Sequence, residues 1–111
     1  CHAAYPAKEA EANLSLIPHM KERYRLPVGF SSHFVSPFVA LAAVSRYNAD
    51  IIEVHITTNR ANKGSDHAAS LEFPGLQLLV RELNRLDHIG GNGERQVFTS
   101  ELPSRAKLRG T

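Results

Sequence analysis

Apolar positions along this chain follow two rhythms, a helical one and a short extended one, with polar stretches between them. Leu14, Ile17 and Met20 recur at a spacing that a helix turns to one face, which predicts a helix over residues 13–24 with Pro18 in its first turn. A short extended run follows at residues 27–30. The next helix is expected over 36–47, opened by Ser36 as its cap and Pro37 as its first residue. Its centre, Val39 through Val44, is apolar almost all round, so it should be covered on more than one side. A second strand is predicted at 51–56, then a polar loop reaching Ser70. That loop exceeds the roughly two to six residues of an ordinary strand-to-helix connection. In the helix predicted at 74–87, Leu76, Leu79, Val80, Leu83 and Leu86 share one face, while Gln77, Arg81, Glu82 and Arg85 point outward. The glycine run from Gly90 to Gly93 ends this helix, and Thr99-Ser100-Glu101-Leu102 is expected to cap a last short one. At the other end, Cys1-His2-Ala3-Ala4-Tyr5-Pro6 reads as the end of a strand running into a loop. Alternating strands and helices predict an α/β fold with parallel strands and right-handed crossovers. Three such strands alone would leave open edges, because parallel sheets are normally covered on both faces.

The chemistry concentrates where apolar runs turn polar. Phe30-Ser31-Ser32-His33 closes the first extended run, and Glu53-Val54-His55 lies at the end of the second. Two strands joined by a helical crossover run parallel, so their carboxyl ends meet on one face, the usual seat of chemistry in α/β folds. A two-histidine metal site is geometrically available there, but so is a pair of separate hydrogen-bonded histidines, since a catalytic metal site usually takes about three protein ligands. Glu53 falls on the same side of its strand as His55 by period-two geometry. It reads either as a site contact or as a satisfied buried carboxylate. Asp66, far along the polar loop, reads either as a binding carboxylate or as the cap of a turn.

Composition narrows the setting. A chain of 111 residues with 42% hydrophobic content suits one small globular domain rather than a disordered polymer. It does not begin with methionine and is expected to be cut from a longer sequence. A net charge of +2, with the basic residues scattered, does not point to nucleic acid. Arg105, Lys107 and Arg109 form a local cluster that reads as a solvated tail. The single cysteine, Cys1, cannot form an internal disulfide, which fits a reducing compartment. No apolar stretch reaches the roughly 18 to 20 residues that span a bilayer, and a cytoplasmic setting without membrane attachment is expected.

Several runs in order carry a more specific signal: Cys1 to Pro6, Gly29 to His33, Glu53 to Thr57, Gly64-Ser65-Asp66-His67 with Ser70, and Ser100-Glu101-Leu102. Their order and spacing resemble the sialic acid synthase family, whose pattern runs C-x-x-x-Y-P, then G-(Y/F/L)-S-D-H-T, then E-(K/R)-H-F-T, then G-P-D-H. The resemblance implies a (β/α)8 TIM barrel followed by a small antifreeze-like domain. Residues 1–89 would be the end of barrel strand six through helix eight, and residues 90–111 the link towards the second domain. It further implies condensation of phosphoenolpyruvate with an N-acetylated sugar, such as N-acetylmannosamine, to a nonulosonic (sialic-type) acid and phosphate. In that scheme His33 and His55 are catalytic and hold a divalent manganese or magnesium ion. Ser31 contacts phosphoenolpyruvate, Tyr5 and Asp66 hold the open-chain amino-sugar, and Glu53 is a further substrate contact. The family works as a homodimer. The isolated piece should be inactive, since other binding residues lie in the five strands before it.

Departures from that pattern accompany the matches. Ser32 stands where the family has aspartate, Phe34 where it has threonine, Val54 where it has lysine or arginine, Ala3 where it has asparagine, and Ser65 where it has proline. These changes are expected to alter the electrostatics around the histidines. They leave open a divergent synthase with another sugar substrate and, as the alternative, a noncatalytic barrel remnant or assembly subunit. Among the other histidines, His2 is read as a site-rim or solvated residue, His67 as a sugar contact or turn cap, and His19 and His88 as structural.

Overall fold

The computed structural model describes residues 1–110. Helix α1 spans Leu16–Tyr24, strand β1 Gly29–Ser32, helix α2 Phe38–Ser45, strand β2 Ile51–Val54, helix α3 Phe73–Ile89 and helix α4 Leu102–Arg109. The strands pair in parallel, with Gly29 opposite Ile51 and Ser31 opposite Glu53. The expected parallel α/β arrangement is thus present as a two-stranded sheet.

Element ends differ from the periodicity for local reasons. Asn13 takes a left-handed backbone (φ 47°), so the first helix begins only after a turn in which the Leu16 N–H reaches the Asn13 carbonyl at 3.1 Å. Pro18 still falls in its first turn, where no intrahelical donor is lost. Helix α2 is shorter than its apolar run. The Ser36 hydroxyl accepts the Phe38 N–H at 3.2 Å at one end, and left-handed Asn48 (φ 58°) turns the chain into Ala49 at the other. Cys1 to Pro6 is not a strand. The chain there runs beside β1, tied by the Ala7 N–H to the His33 carbonyl at 3.0 Å. The β2 ladder stops at Val54, but the His55 carbonyl accepts the Leu71 N–H at 2.8 Å and the Thr57 N–H donates to the Leu71 carbonyl at 2.9 Å. The long polar loop is therefore closed at its base by backbone pairing. Past α3, the Glu101 carboxylate accepts the Phe98 N–H at 2.7 Å and opens α4, the expected last short helix, on which Arg105, Lys107 and Arg109 lie exposed or half-exposed.

Two apolar clusters lie on the helix side of the sheet. Ile17, Phe30, Phe34, Val39, Ala43 and Ala49 form one. Ala40, Leu71 and Leu79 form the other, with Ile52, Val54, Leu76 and Leu83 against it. Helix α2 feeds both, which is why its sequence is apolar around most of its circumference. On α3 the covered seam is Leu76, Leu79, Leu83 and Leu86, whereas Val80, expected on it, is 49% exposed. With a single helix and one strand to pack on, only a narrow stripe is buried. The other sheet face, bearing Gly29, Ser31, Ile51 and Glu53, is open or half-open. No helix among the described residues is long and apolar enough to cross a membrane.

At the amino ends of the strands, Asp50 ties three segments together. One carboxylate oxygen accepts the Val28 N–H at 2.9 Å, the other the Lys21 ammonium at 2.9 Å, and the same ammonium donates to the Asn48 carbonyl. The Val28 backbone bond, aided by Lys21, holds the Asp50 carboxyl below its ordinary range. A lowered folded-state value stabilises the fold above the unfolded carboxylate range and loses that contribution as pH falls through the folded value. Asp50→Asn is accordingly expected to lower the thermal midpoint at neutral pH and to converge on the wild type in strong acid. A constant difference between the two midpoints across that pH range would refute the assignment.

Candidate functional site

The strand register sets the site. Ser31 and Glu53 are directly opposite on the open sheet face, and one step on, beyond the ladder, the chain delivers His33 and His55. Ser31 donates its hydroxyl hydrogen to the Glu53 carboxylate. The two imidazole centroids are 5.4 Å apart with planes inclined by 49°. Sequence spacing put these four residues near one another; the parallel pairing brings them into contact range.

His33 is buried, 6% exposed, and its tautomer follows from its partners. Nδ1 lies 2.6 Å from the His2 carbonyl oxygen, which can only accept, so Nδ1 carries the proton and Nε2 the lone pair. The Tyr5 hydroxyl donates to that Nε2 at 2.9 Å. The Tyr5 ring stacks on His33 at 4.0 Å between centroids and reaches His55 at 5.6 Å. Desolvation, then the nearby Asp66 and Glu53 carboxylates, raise the Tyr5 pKa, so the phenol stays neutral and keeps its donor hydrogen. His55 is half-buried, with Nε2 3.8 Å from a Glu53 oxygen and Nδ1 4.0 Å from an Asp66 oxygen. Every residue expected at the site is thus within one constellation: Tyr5, Ser31, His33, Glu53, His55 and Asp66.

Side chains of His33, Glu53 and His55 each offer one ligand atom, all within 4.8 Å of one another. Donors bound at about 2.0–2.2 Å to one divalent ion lie no more than about 4.4 Å apart, so the three side chains would have to close in on it. Two imidazoles and a carboxylate with open positions suit a divalent transition metal; the His33 Nε2 lone pair faces the site, where it accepts the Tyr5 hydroxyl, a bond a metal would replace. The donor set fits a metal. The readings that remained open from sequence now separate. The histidines are neighbours rather than independent. Glu53 is an exposed carboxylate bonded to Ser31, not a buried one, and the Asp66 side chain caps no turn.

The departures divide by the side of the sheet they occupy. Ser32 is buried and Phe34 packs on Phe30 at 6.1 Å between ring centroids, while Val54 joins the cluster around Leu71 and Leu79. All three turn to the helix layer, away from the sheet face that bears Ser31 and Glu53. Ser65 adds a contact, donating to an Asp66 oxygen at 3.0 Å. Ala3 is exposed and brings no amide.

Three groups of site supports escaped sequence reading. The His2 carbonyl is backbone and has no sequence signal; its ring meanwhile lies 3.3 Å from Glu11. Arg60 donates to the Val35 and Ala68 carbonyls at 3.3 and 3.1 Å, pinning the long loop to the β1–α2 connection. Thr57 bonds the His67 ring at 2.7 Å. Cys1 is a free, exposed thiol, and His19 and His88 are exposed on helices. An apolar hollow of about 620 Å³ lined by Ile56, Phe73, Pro74 and Leu76 lies beside the loop but contains none of the constellation.

Comparison with known proteins gives a consistent result. The NeuB family profile matches residues 1–95. The chain is 33% identical over 98% of its length to the N,N'-diacetyllegionaminic acid synthase of Legionella pneumophila and 35% identical over 97% to the N-acetylneuraminate-9-phosphate synthase of Mus musculus. It spans 30% of the length of each of these curated relatives. Among solved structures, the N-acetylneuraminic acid (sialic acid) synthetase of Leptospira borgpetersenii, crystallised with citrate, superposes over all of this chain and 40% of its own, with a TM-score of 0.76 and 37% identity. The spore coat polysaccharide biosynthesis protein spsE of Bacillus subtilis superposes over 92% of this chain with a TM-score of 0.74 and 30% identity. This chain, with its paired strands and their histidines, belongs to the NeuB family.

Proposed function

We propose that this chain is the carboxyl-terminal part of a (β/α)8 barrel, residues 1–89 running from the end of strand six through helix eight and residues 90–111 leading towards a further small domain. The barrel is a cytoplasmic, homodimeric synthase that joins phosphoenolpyruvate to an N-acetylated amino-sugar of the N-acetylmannosamine type, giving a nonulosonic acid and phosphate. One observation carries this reading: in a NeuB family chain, His33, Glu53 and His55 converge within 4.8 Å at the carboxyl ends of adjacent parallel strands.

A bound manganese or magnesium ion supplies Lewis acidity towards the sugar aldehyde. His33 and His55 would hold it through imidazole nitrogens, and the Glu53 carboxylate is placed to join them. Tyr5 covers both imidazoles with its ring and keeps a neutral donor hydroxyl at the site. The Ser31 hydroxyl, on the open sheet face, exchanges its Glu53 bond for a phosphate or carboxylate oxygen of phosphoenolpyruvate. Asp66 accepts hydrogen bonds from sugar hydroxyls. The phosphoenolpyruvate methylene carbon bonds to the aldehyde carbon, whose oxygen takes a proton. Water adds at the cationic carbon so formed, and phosphate leaves with cleavage of its carbon–oxygen bond. No protein nucleophile is needed in this scheme.

Phosphate release from phosphoenolpyruvate by the intact gene product, with N-acetylmannosamine and related N-acetylated hexosamines, tests the proposal. Chelation is expected to reduce release to background and manganese or magnesium to restore it. Absence of metal-dependent release with every such sugar would favour the second reading, a noncatalytic barrel or assembly subunit, to which Ala3 lends support by placing no amide beside the site. Residues 1–111 alone are expected to be inactive.

A further inference from the structure

Both histidines of the site turn Nδ1 towards an oxygen acceptor, but the two acceptors are held very differently. For His33 it is a backbone carbonyl. For His55 it is the side chain of Asp66, 4.0 Å away and so outside direct hydrogen-bond range, which is 55% exposed and sits in the long loop. An exposed carboxylate keeps a fixed position only if its loop is fastened on either side.

The fastening is visible. The Thr57 hydroxyl donates to the Asn59 carbonyl at 3.1 Å and therefore uses its oxygen lone pairs for the Asn59 N–H at 3.3 Å and for His67 Nδ1 at 2.7 Å. His67 thus carries its proton on Nδ1 and donates. The far edge of the His67 ring lies against Gly64, where an added Cβ would come within 2.8 Å of the ring and where φ is 140°. A side chain at 64 would both clash and strain the backbone. The ring is clamped between Thr57, just past β2, and Gly64 in the loop. Beyond the clamp, the Asp66 carbonyl accepts the Ser70 hydroxyl at 2.6 Å and the Ala69 N–H at 3.2 Å, while Ser65 holds one carboxylate oxygen. The other oxygen is the one that faces His55.

We propose that His67 and Thr57 are positioning residues: their hydrogen bond docks the loop so that Asp66 orients the His55 imidazole, Nδ1–H towards the carboxylate and Nε2 towards Glu53 and His33. Carboxylates behind metal-binding histidines fix the tautomer and raise ligand basicity, and their loss typically weakens metal binding by about 10–100-fold. Asp66 then serves the histidine as well as the sugar. This assignment rests on the metal-site reading above but is read out separately from turnover.

The experiment uses the intact gene product with 15N-labelled histidine. In metal-free protein, Asp66→Asn is expected to shift the His55 ring nitrogen signals. Thr57→Val, nearly isosteric and lacking the hydroxyl, and His67→Leu are expected to reproduce that shift. His67→Asn, whose amide N–H stands in for Nδ1–H, is expected to restore the wild-type signals. Manganese affinity, titrated by electron paramagnetic resonance, should fall about tenfold in Thr57→Val and recover in His67→Asn. His55 signals unchanged in Asp66→Asn, or changed there but not in Thr57→Val, would overturn the proposal. A protein that shows the predicted shifts but no metal-dependent phosphate release would keep this inference and lose the synthase reading.

Discussion

Replacing His33 by asparagine is expected to abolish metal-dependent phosphate release while leaving the fold nearly intact. The imidazole does two jobs through its two nitrogens: Nδ1–H holds the His2 carbonyl at 2.6 Å, and Nε2 faces the site. An asparagine amide N–H occupies a position close to Nδ1–H and can keep the first contact, but nothing in its side chain reaches the second. A metal acting on a carbonyl lowers the barrier by several kcal/mol, and each ~1.4 kcal/mol is tenfold in rate. Loss of a ligand should therefore lower kcat/KM by about a thousandfold or more. His33→Ala should lose as much activity and also some stability, because it leaves the part-buried His2 carbonyl without its partner. Thermal midpoints alongside metal titrations separate the two effects. Metal-dependent turnover at the wild-type level in His33→Asn would remove His33 from the ligand set and with it the site proposed here.

The parts of this site that were legible in the sequence are those that depend on local pattern. The apolar runs around Phe30 and Ile52 and the helix between them were enough to put His33 and His55 at like ends of parallel strands, and period two placed Glu53 beside His55. What escaped depends on backbone atoms or on tertiary pairing. The His2 carbonyl that sets the His33 tautomer leaves no mark on residue identity. Nor does the pairing of Leu71 with the segment after His55, which closes the long loop and lets Thr57 meet His67. The same limit explains Val80, apolar by pattern but outside the narrow seam that α2 and β2 cover, and Ser32, Phe34 and Val54, whose helix-facing positions follow only once the strand face is known. Asn13 shows the converse: a residue that tolerates the left-handed backbone cut the predicted first helix short.

The geometry of the site also depends on a residue with no side chain. Opposite Ile51 in the register, Gly29 lets the strands approach so closely that an added Cβ would lie 2.9 Å from the Ile51 carbonyl oxygen and 3.0 Å from its Cβ. Neither neighbour is the free end of a flexible side chain, so any substitution must move backbone. Gly29→Val is expected to push β1 from β2 at the start of the ladder and to cost about 1–3 kcal/mol, the usual scale of overpacking. Two positions on, the same displacement separates Ser31 from Glu53, and beyond them His33 from His55. Metal affinity should therefore drop although no ligand has been touched. Gly75 provides the control: in α3 an added methyl meets only Leu71 side-chain atoms at 3.5 Å and beyond, ordinary contact distance. Gly75→Ala should hold or raise the thermal midpoint, since alanine is better than glycine inside a helix by up to about 1 kcal/mol, and should leave metal binding unchanged. If Gly29→Val keeps both the midpoint and the metal affinity of the wild type, the close strand approach is not what brings the two histidines together.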